Sequence, residues 1–123
     1  MDAKTLTIFI VLDVVVVAFV LFKVLGPVSE AKAKELLKVG AKIIDVRSLA
    51  EFNSGHLRAA VNIPYDEVSR RIEAVVPDKS TPVLVYCLSG GRSAIAKGAL
   101  RKKGYMQAYN LGSLNRAKHI VES

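Results

Sequence analysis

Seven consecutive residues, Cys87-Leu88-Ser89-Gly90-Gly91-Arg92-Ser93, concentrate the reactive chemistry of the chain. Cys87 is the only cysteine. The apolar run Pro82–Tyr86 precedes it, and a helix-like run, Ala94–Leu100, follows the loop. A strand that empties into a tight loop at a helix start directs backbone N–H groups and the positive helix end at one point. A thiol in that field ionises readily, and the thiolate is its reactive form. A lone cysteine is more often a small buried hydrophobe. The strand end, the Gly-Gly turn and the arginine at the loop exit make Cys87 a candidate nucleophile instead.

The elements that must position this loop are short. Ser29 is placed to cap a helix over Glu30–Val39, which Gly40 ends. Lys42–Val46 reads as a buried strand, Arg47–Asn53 as a helical turn and Ala60–Ile63 as a second strand stopped by Pro64. Asp66–Val75 is amphipathic, with Val68, Ile72 and Val75 on one side. After the strand Pro82–Tyr86 and the loop, a helix runs to about Lys103, with Gly104 at its end, then a strand Gln107–Asn110 and a helix Ser113–Val121. Alternating apolar strands and helices predict an α/β domain, a central parallel sheet with helices on both faces. Ligands of such sheets bind beyond the carboxyl ends of the strands. Cys87 lies at one such end, and Asp45-Val46-Arg47 at another.

The N-terminal segment is different in kind. Leu6–Leu25 is nearly all apolar, long enough as a helix to cross about 30 Å of hydrocarbon. Asp13 costs roughly 3 kcal/mol on insertion scales, while each Leu, Ile, Val or Phe returns roughly 0.3–0.6. The run holds 16 residues of those four types, so insertion is favoured. Lys23 lies near one end and can snorkel. A cleaved signal peptide has a shorter core and a prompt small-residue cleavage site. Here Gly-Pro-Val-Ser-Glu follows, so residues 1–27 are expected to be a transmembrane anchor and residues 28–123 a separate domain. Lys23, Lys32, Lys34, Lys38 and Lys42 follow the span against Lys4 before it, which puts the C-terminal domain on the cytoplasmic side. Asp13 is either a tolerated polar residue or a helix–helix contact.

The net charge of +7 suits anionic headgroups or anionic substrates. No recognition motif accompanies it, so nucleic acid is not an expected partner. One cysteine excludes an internal disulfide and a cysteine-rich zinc site, and His56 and His119 have no metal-ligand spacing, so no metal is expected. His119 and Arg101-Lys102-Lys103 read as solvated helix positions.

A series of motifs is more specific. Ile44-Asp45-Val46-Arg47, Glu51-Phe52, Gly55-His56-Leu57, Ala60, Asn62-Ile63-Pro64, Val85-Tyr86-Cys87 with Gly90 and Arg92-Ser93, Gly104-Tyr105 and Asn110-Leu111-Gly112 together resemble the single-domain rhodanese family over residues 28–123. The tryptophan that family often carries after Gly112 is absent. The resemblance implies a doubly wound α/β fold. It also implies transfer of a sulfane sulfur from a small anionic donor such as thiosulfate, through a persulfide on Cys87, to cyanide or a thiol, with no metal or organic cofactor.

On this reading the N–H groups of Leu88 through Ser93 surround the sulfur as an oxyanion hole surrounds oxygen. Gly90 and Gly91 let the backbone turn inward. Leu88 and Ser89 face the substrate, and Ser93 caps the following helix. Arg92 either holds the donor anion or braces the loop against a carboxylate such as Glu51; bracing is the expected role. Asp45, Glu51 and His56 are expected to be structural supports, although His56 could also serve as a base. Arg47 is a second candidate anion contact. Four residues separate Cys87 from Arg92. Cysteine phosphatases have a similar loop one residue longer, and the tighter ring suits sulfur better than a phosphoryl group. The alternatives are a persulfide carrier or redox relay serving a protein acceptor, and a non-enzymatic binding module of the same fold.

Overall fold

The computed structural model describes residues 1–123, apart from the side chains of 23–25, so the expectation for Lys23 lies outside the described side chains. The first helix, α1 (Ala3–Leu25), precedes an alternating series: α2 (Glu30–Lys38), β1 (Lys42–Asp45), α3 (Leu49–Asn53), β2 (Val61–Asn62), α4 (Val68–Val75), β3 (Val83–Cys87), α5 (Gly91–Lys102), β4 (Ala108–Ser113) and α6 (Leu114–Glu122). The four strands form one sheet in the order β2-β1-β3-β4, every neighbouring pair parallel.

The sheet is covered on both faces, as the continuous apolar strands require. Val83, Val85 and Cys87 pack towards α4 and α5, among Val68, Ile72, Ala96 and Leu100. Leu84 and Tyr86 pack towards α2 and α6, among Ala33, Leu36, Ala117 and Ile120. All five residues of β3 are buried, so the strand that ends in Cys87 is the centre of the domain.

Local chemistry sets the boundaries. Ser29 caps α2 by accepting from the Lys32 N–H, and Ser113 caps α6 by accepting from the Arg116 N–H. Helix α4 begins at Val68 rather than Asp66, because Pro64–Glu67 closes a turn with the Glu67 N–H on the Pro64 carbonyl. Strand β4 does not stop at Asn110. An irregularity opposite Val85 and Tyr86 brings Gly112 beside Tyr86 and Ser113 beside Cys87, extending the ladder to the loop. Helix α6 needs no tryptophan, since Ala117 and Ile120 fill the face it turns to the sheet.

Helix α1 stands apart from this core. Its stretch Ala3–Phe22 is largely apolar, unburied, and long enough to cross a membrane by length and composition, a test that a signal sequence also passes. Asp2 caps it by accepting from the Thr5 N–H.

Candidate active site

Strand β3 delivers Cys87 to the carboxyl edge of the sheet. The chain then reverses at Gly90, whose φ of +103° lies in the left-handed region that side chains resist. Gly90 is also the residue from which α5 starts. Its N–H donates to Cys87 Sγ at 3.0 Å, and the Ser93 hydroxyl lies 3.4 Å from the same sulfur. Burial of the sulfur opposes ionisation. The Ser93 hydroxyl and the N–H groups of Ser93, Gly90 and Ser89 outweigh it and hold the thiol below its ordinary pKa. These donors belong to the loop and to the first turn of α5.

Two expectations for this loop are corrected. Ser93 does not cap α5. It lies within the first turn, fully buried, with its hydroxyl shared between Cys87 Sγ and the Gly90 carbonyl at 3.0 Å. And Gly91 does not share the turning role of Gly90. It is the first residue of α5, and a Cβ there would meet open space. A Cβ on Gly90 would instead rest 3.5 Å from the Cα of Gly112.

Arg92 points its guanidinium at Glu51, with Nη1 to Oε1 at 2.7 Å and Nη2 to Oε2 at 2.9 Å. The two-pronged pair ties α5 to α3. The Arg92 hydrogen bonds pull the Glu51 pKa down to about 2, aided by the Ser48 N–H and hydroxyl. The pair in turn raises the pKa of Arg92, with a smaller contribution from the Cys87 sulfur. Leu88 and Ser89 are exposed on the loop, and Ser89 bridges to Ser113.

Arg47 is not laid out as an anion contact for the loop. It is 3% exposed, and its Nε and Nη2 grip the Asp45 carboxylate while Nη2 also donates to the Gly55 carbonyl. Asp45 needs that partner because its side chain is fully buried. Asn62 closes the network by donating to the Asp45 and Arg47 carbonyls. The Tyr86 hydroxyl accepts from the Leu57 N–H. His56 stacks on Phe52 with ring centroids 3.6 Å apart, and its Nδ1 lies 2.8 Å from the Phe52 carbonyl. With Arg47, Leu57, Leu114 and Lys118 it lines a cavity of about 310 Å³. Leu57 packs there with Tyr86, in the core on the side of the sheet opposite the Cys87 side chain. His56 thus packs on the α3 turn, while the Gly90 N–H and the Ser93 hydroxyl hydrogen-bond Cys87 Sγ.

One buried residue at the site was outside the sequence reading of the loop. Asn110 on β4 donates from Nδ2 to the Gly90 carbonyl at 3.2 Å and accepts on Oδ1 from the Gly112 N–H at 2.8 Å. The signal for it was only the Asn-Leu-Gly triplet. Its link to the loop depends on β4 lying beside β3.

The sequence matches the family pattern described as Rhodanese-like domain over residues 29–118. The chain belongs to the rhodanese-like domain family. This rhodanese-like chain is 44% identical over 71 residues to the thiosulfate sulfurtransferase PspE of Escherichia coli K12, covering 58% of this chain and 68% of that protein. Among solved structures it is similar to a rhodanese with anions from E. coli, with a TM-score of 0.61, 40% identity, and 63% and 91% of the two chains covered. It is also similar to the human single-domain sulfurtransferase TSTD1, with a TM-score of 0.63, 27% identity, and 76% and 95% covered. The family agrees with the observed fold, a parallel α/β sheet whose central strand ends in the cysteine loop.

Proposed function

We propose that this chain is a membrane-anchored sulfurtransferase that carries sulfur on Cys87. The observation that carries the reading is a sulfur held below its ordinary pKa by N–H groups and the Ser93 hydroxyl, at the start of α5. Anion stabilisation is the requirement of the reaction, and a paired acid and base is not needed. The Cys87 thiolate attacks the outer sulfur of thiosulfate. A new S–S bond forms, the donor S–S bond breaks, and sulfite departs with the bonding electrons. The outer sulfur of the persulfide then lies among the N–H groups of the loop. Cyanide or a thiolate attacks it, leaves as thiocyanate or an acceptor persulfide, and returns the Cys87 thiolate. Leu88 and Ser89, exposed at the loop, meet the substrates. Arg92, braced by Glu51, keeps a positive charge beside the sulfur. Asp45, Arg47 and His56 hold the frame.

Residues 1–27 serve as the anchor, with Ala3–Phe22 spanning the bilayer. Lys32, Lys34, Lys38 and Lys42 lie just after it, and the domain of residues 28–123 faces the cytoplasm. The thiosulfate sulfurtransferase relative and the short spacing from Cys87 to Arg92 favour sulfur transfer over phosphoryl transfer. Parallel assays with thiosulfate plus cyanide and with an aryl phosphate test this. Thiocyanate formation without phosphate release is expected; phosphate release alone would overturn the assignment.

A further inference from the structure

We propose that Asn110 is a positioning residue for the sulfur chemistry, which turns the hydroxyl proton of Ser93 from the Gly90 carbonyl onto Cys87. The proposal rests on Cys87 reacting as a thiolate. Three donors converge on the Gly90 carbonyl oxygen: the Ser93 hydroxyl at 3.0 Å, the Ala94 N–H at 3.1 Å and Asn110 Nδ2 at 3.2 Å. A carbonyl oxygen offers two lone pairs, so the three donors compete for it. The Ala94 N–H is fixed as the first bond of α5. The Asn110 amide is fixed too, because Oδ1 accepts from the Gly112 N–H at 2.8 Å. Flipping it would set oxygen against the Gly90 carbonyl and NH₂ against the Gly112 N–H. The hydroxyl alone can rotate, and its other acceptor is Cys87 Sγ at 3.4 Å. A hydrogen bond to a charged acceptor is the stronger choice once the sulfur is ionised.

Asn110 is well built for this task. It is 3% exposed, pairs with Val85 in the ladder, and accepts on its backbone carbonyl from the Val28 N–H. The charged groups around the sulfur leave its bonds undisturbed. Arg92 of α5, whose charge acts on the sulfur, is held by Glu51 from α3. Asp45 and Arg47 at the end of β1 are bound to each other, and Arg116 of α6 donates to the Leu111 and Val28 carbonyls. Among the described residues none of these hydrogen-bonds the side chain of Asn110 or Ser93.

The test is the pH dependence of Cys87 alkylation by iodoacetamide in the full chain in detergent micelles, followed by intact mass. Cys87 is the only cysteine, and the Cys87→Ser chain supplies the blank for alkylation elsewhere. Ser93→Ala should raise the midpoint by about one to two pH units, the worth of a hydrogen bond to a charged group. Asn110→Ala should raise it by a fraction of that shift in the native background and leave it unmoved in the Ser93→Ala background. An equal rise in both backgrounds, which general loosening of the loop produces, overturns the proposal, as does no rise in the native one. If Asn110→Ala does not fold, Asn110→Ser decides by the same criteria. Its short hydroxyl can still receive the Gly112 N–H in a local turn but does not reach Gly90. A wild-type midpoint at the ordinary thiol value of about 8.5 would instead overturn the thiolate reading beneath it.

Discussion

Glu51 ties two pieces of chain together. One carboxylate receives both prongs of Arg92 and the N–H and hydroxyl of Ser48, so it closes α3 and braces the exit of the cysteine loop. Its pKa lies well below the usual carboxylate range, at about 2. A carboxylate whose pKa is depressed on folding stabilises the fold above its unfolded value and loses that contribution as pH falls towards the folded one. The loop brace should therefore be fully in place above about pH 4.5 and fade between there and pH 2. Glu51→Gln should lower stability at pH 7 by about 1 kcal/mol, the scale for a partly exposed pair, and flatten the loss of melting temperature below pH 4.5. Thermal melts of both proteins across pH 2–7 check this, and parallel curves would contradict it. Arg47 makes the complementary point. A positive residue at a strand end suggests an anion contact. Whether it is available depends on burial, and the fully buried Asp45 takes up its guanidinium.

At the scale of elements, the cysteine loop is a joint between β3 and α5 that two other elements lock. Gly90 supplies the reversal, with φ of +103°. Gly91 opens the helix with free space above it. Gly90→Ala should therefore cost about 1–3 kcal/mol of strain in the loop and cut sulfur-transfer turnover at least tenfold. Gly91→Ala should leave turnover within about twofold and the melting temperature unchanged or raised, since alanine loses less entropy on folding. Turnover and thermal melts of the two variants check the contrast, and equal damage from both would contradict it. This joint was legible in the sequence because its parts are contiguous: an apolar run, a cysteine, glycines, a helix-like run. So were the alternation of strands and helices and the serine cap of α2. What the sequence hid depends on neighbours far along the chain. The reach of Asn110 to Gly90 exists because β4 pairs with β3 and slips its register beside Tyr86. The buried place of Ser93 follows from the helix starting at Gly90, three residues earlier than a serine cap there would have it.

For the whole molecule, the division of labour follows burial. Among the described residues every buried core residue lies at or beyond Ala33, and Ala3–Phe22 contributes none. The first residues after α1 are nevertheless tied to the domain. The Val28 N–H donates to the Asn110 carbonyl, Arg116 donates to the Val28 carbonyl, and Pro27 lies near Gly112. If α1 is the anchor, the cysteine loop works close to the membrane surface, where a membrane-bound acceptor would meet it. Deleting residues 1–25 should release the chain from the membrane fraction with its melting temperature nearly unchanged. Fractionation and thermal melts check this, and a chain that stays with the membranes would contradict the anchor.

The central claim is that Cys87 carries the transferred sulfur, and intact mass after treatment with thiosulfate reads that most directly. The wild-type chain should gain the mass of one sulfur atom, lose it again on addition of cyanide, and show no gain as the Cys87→Ser variant. No gain in the wild type, or an equal gain in both, would contradict the account.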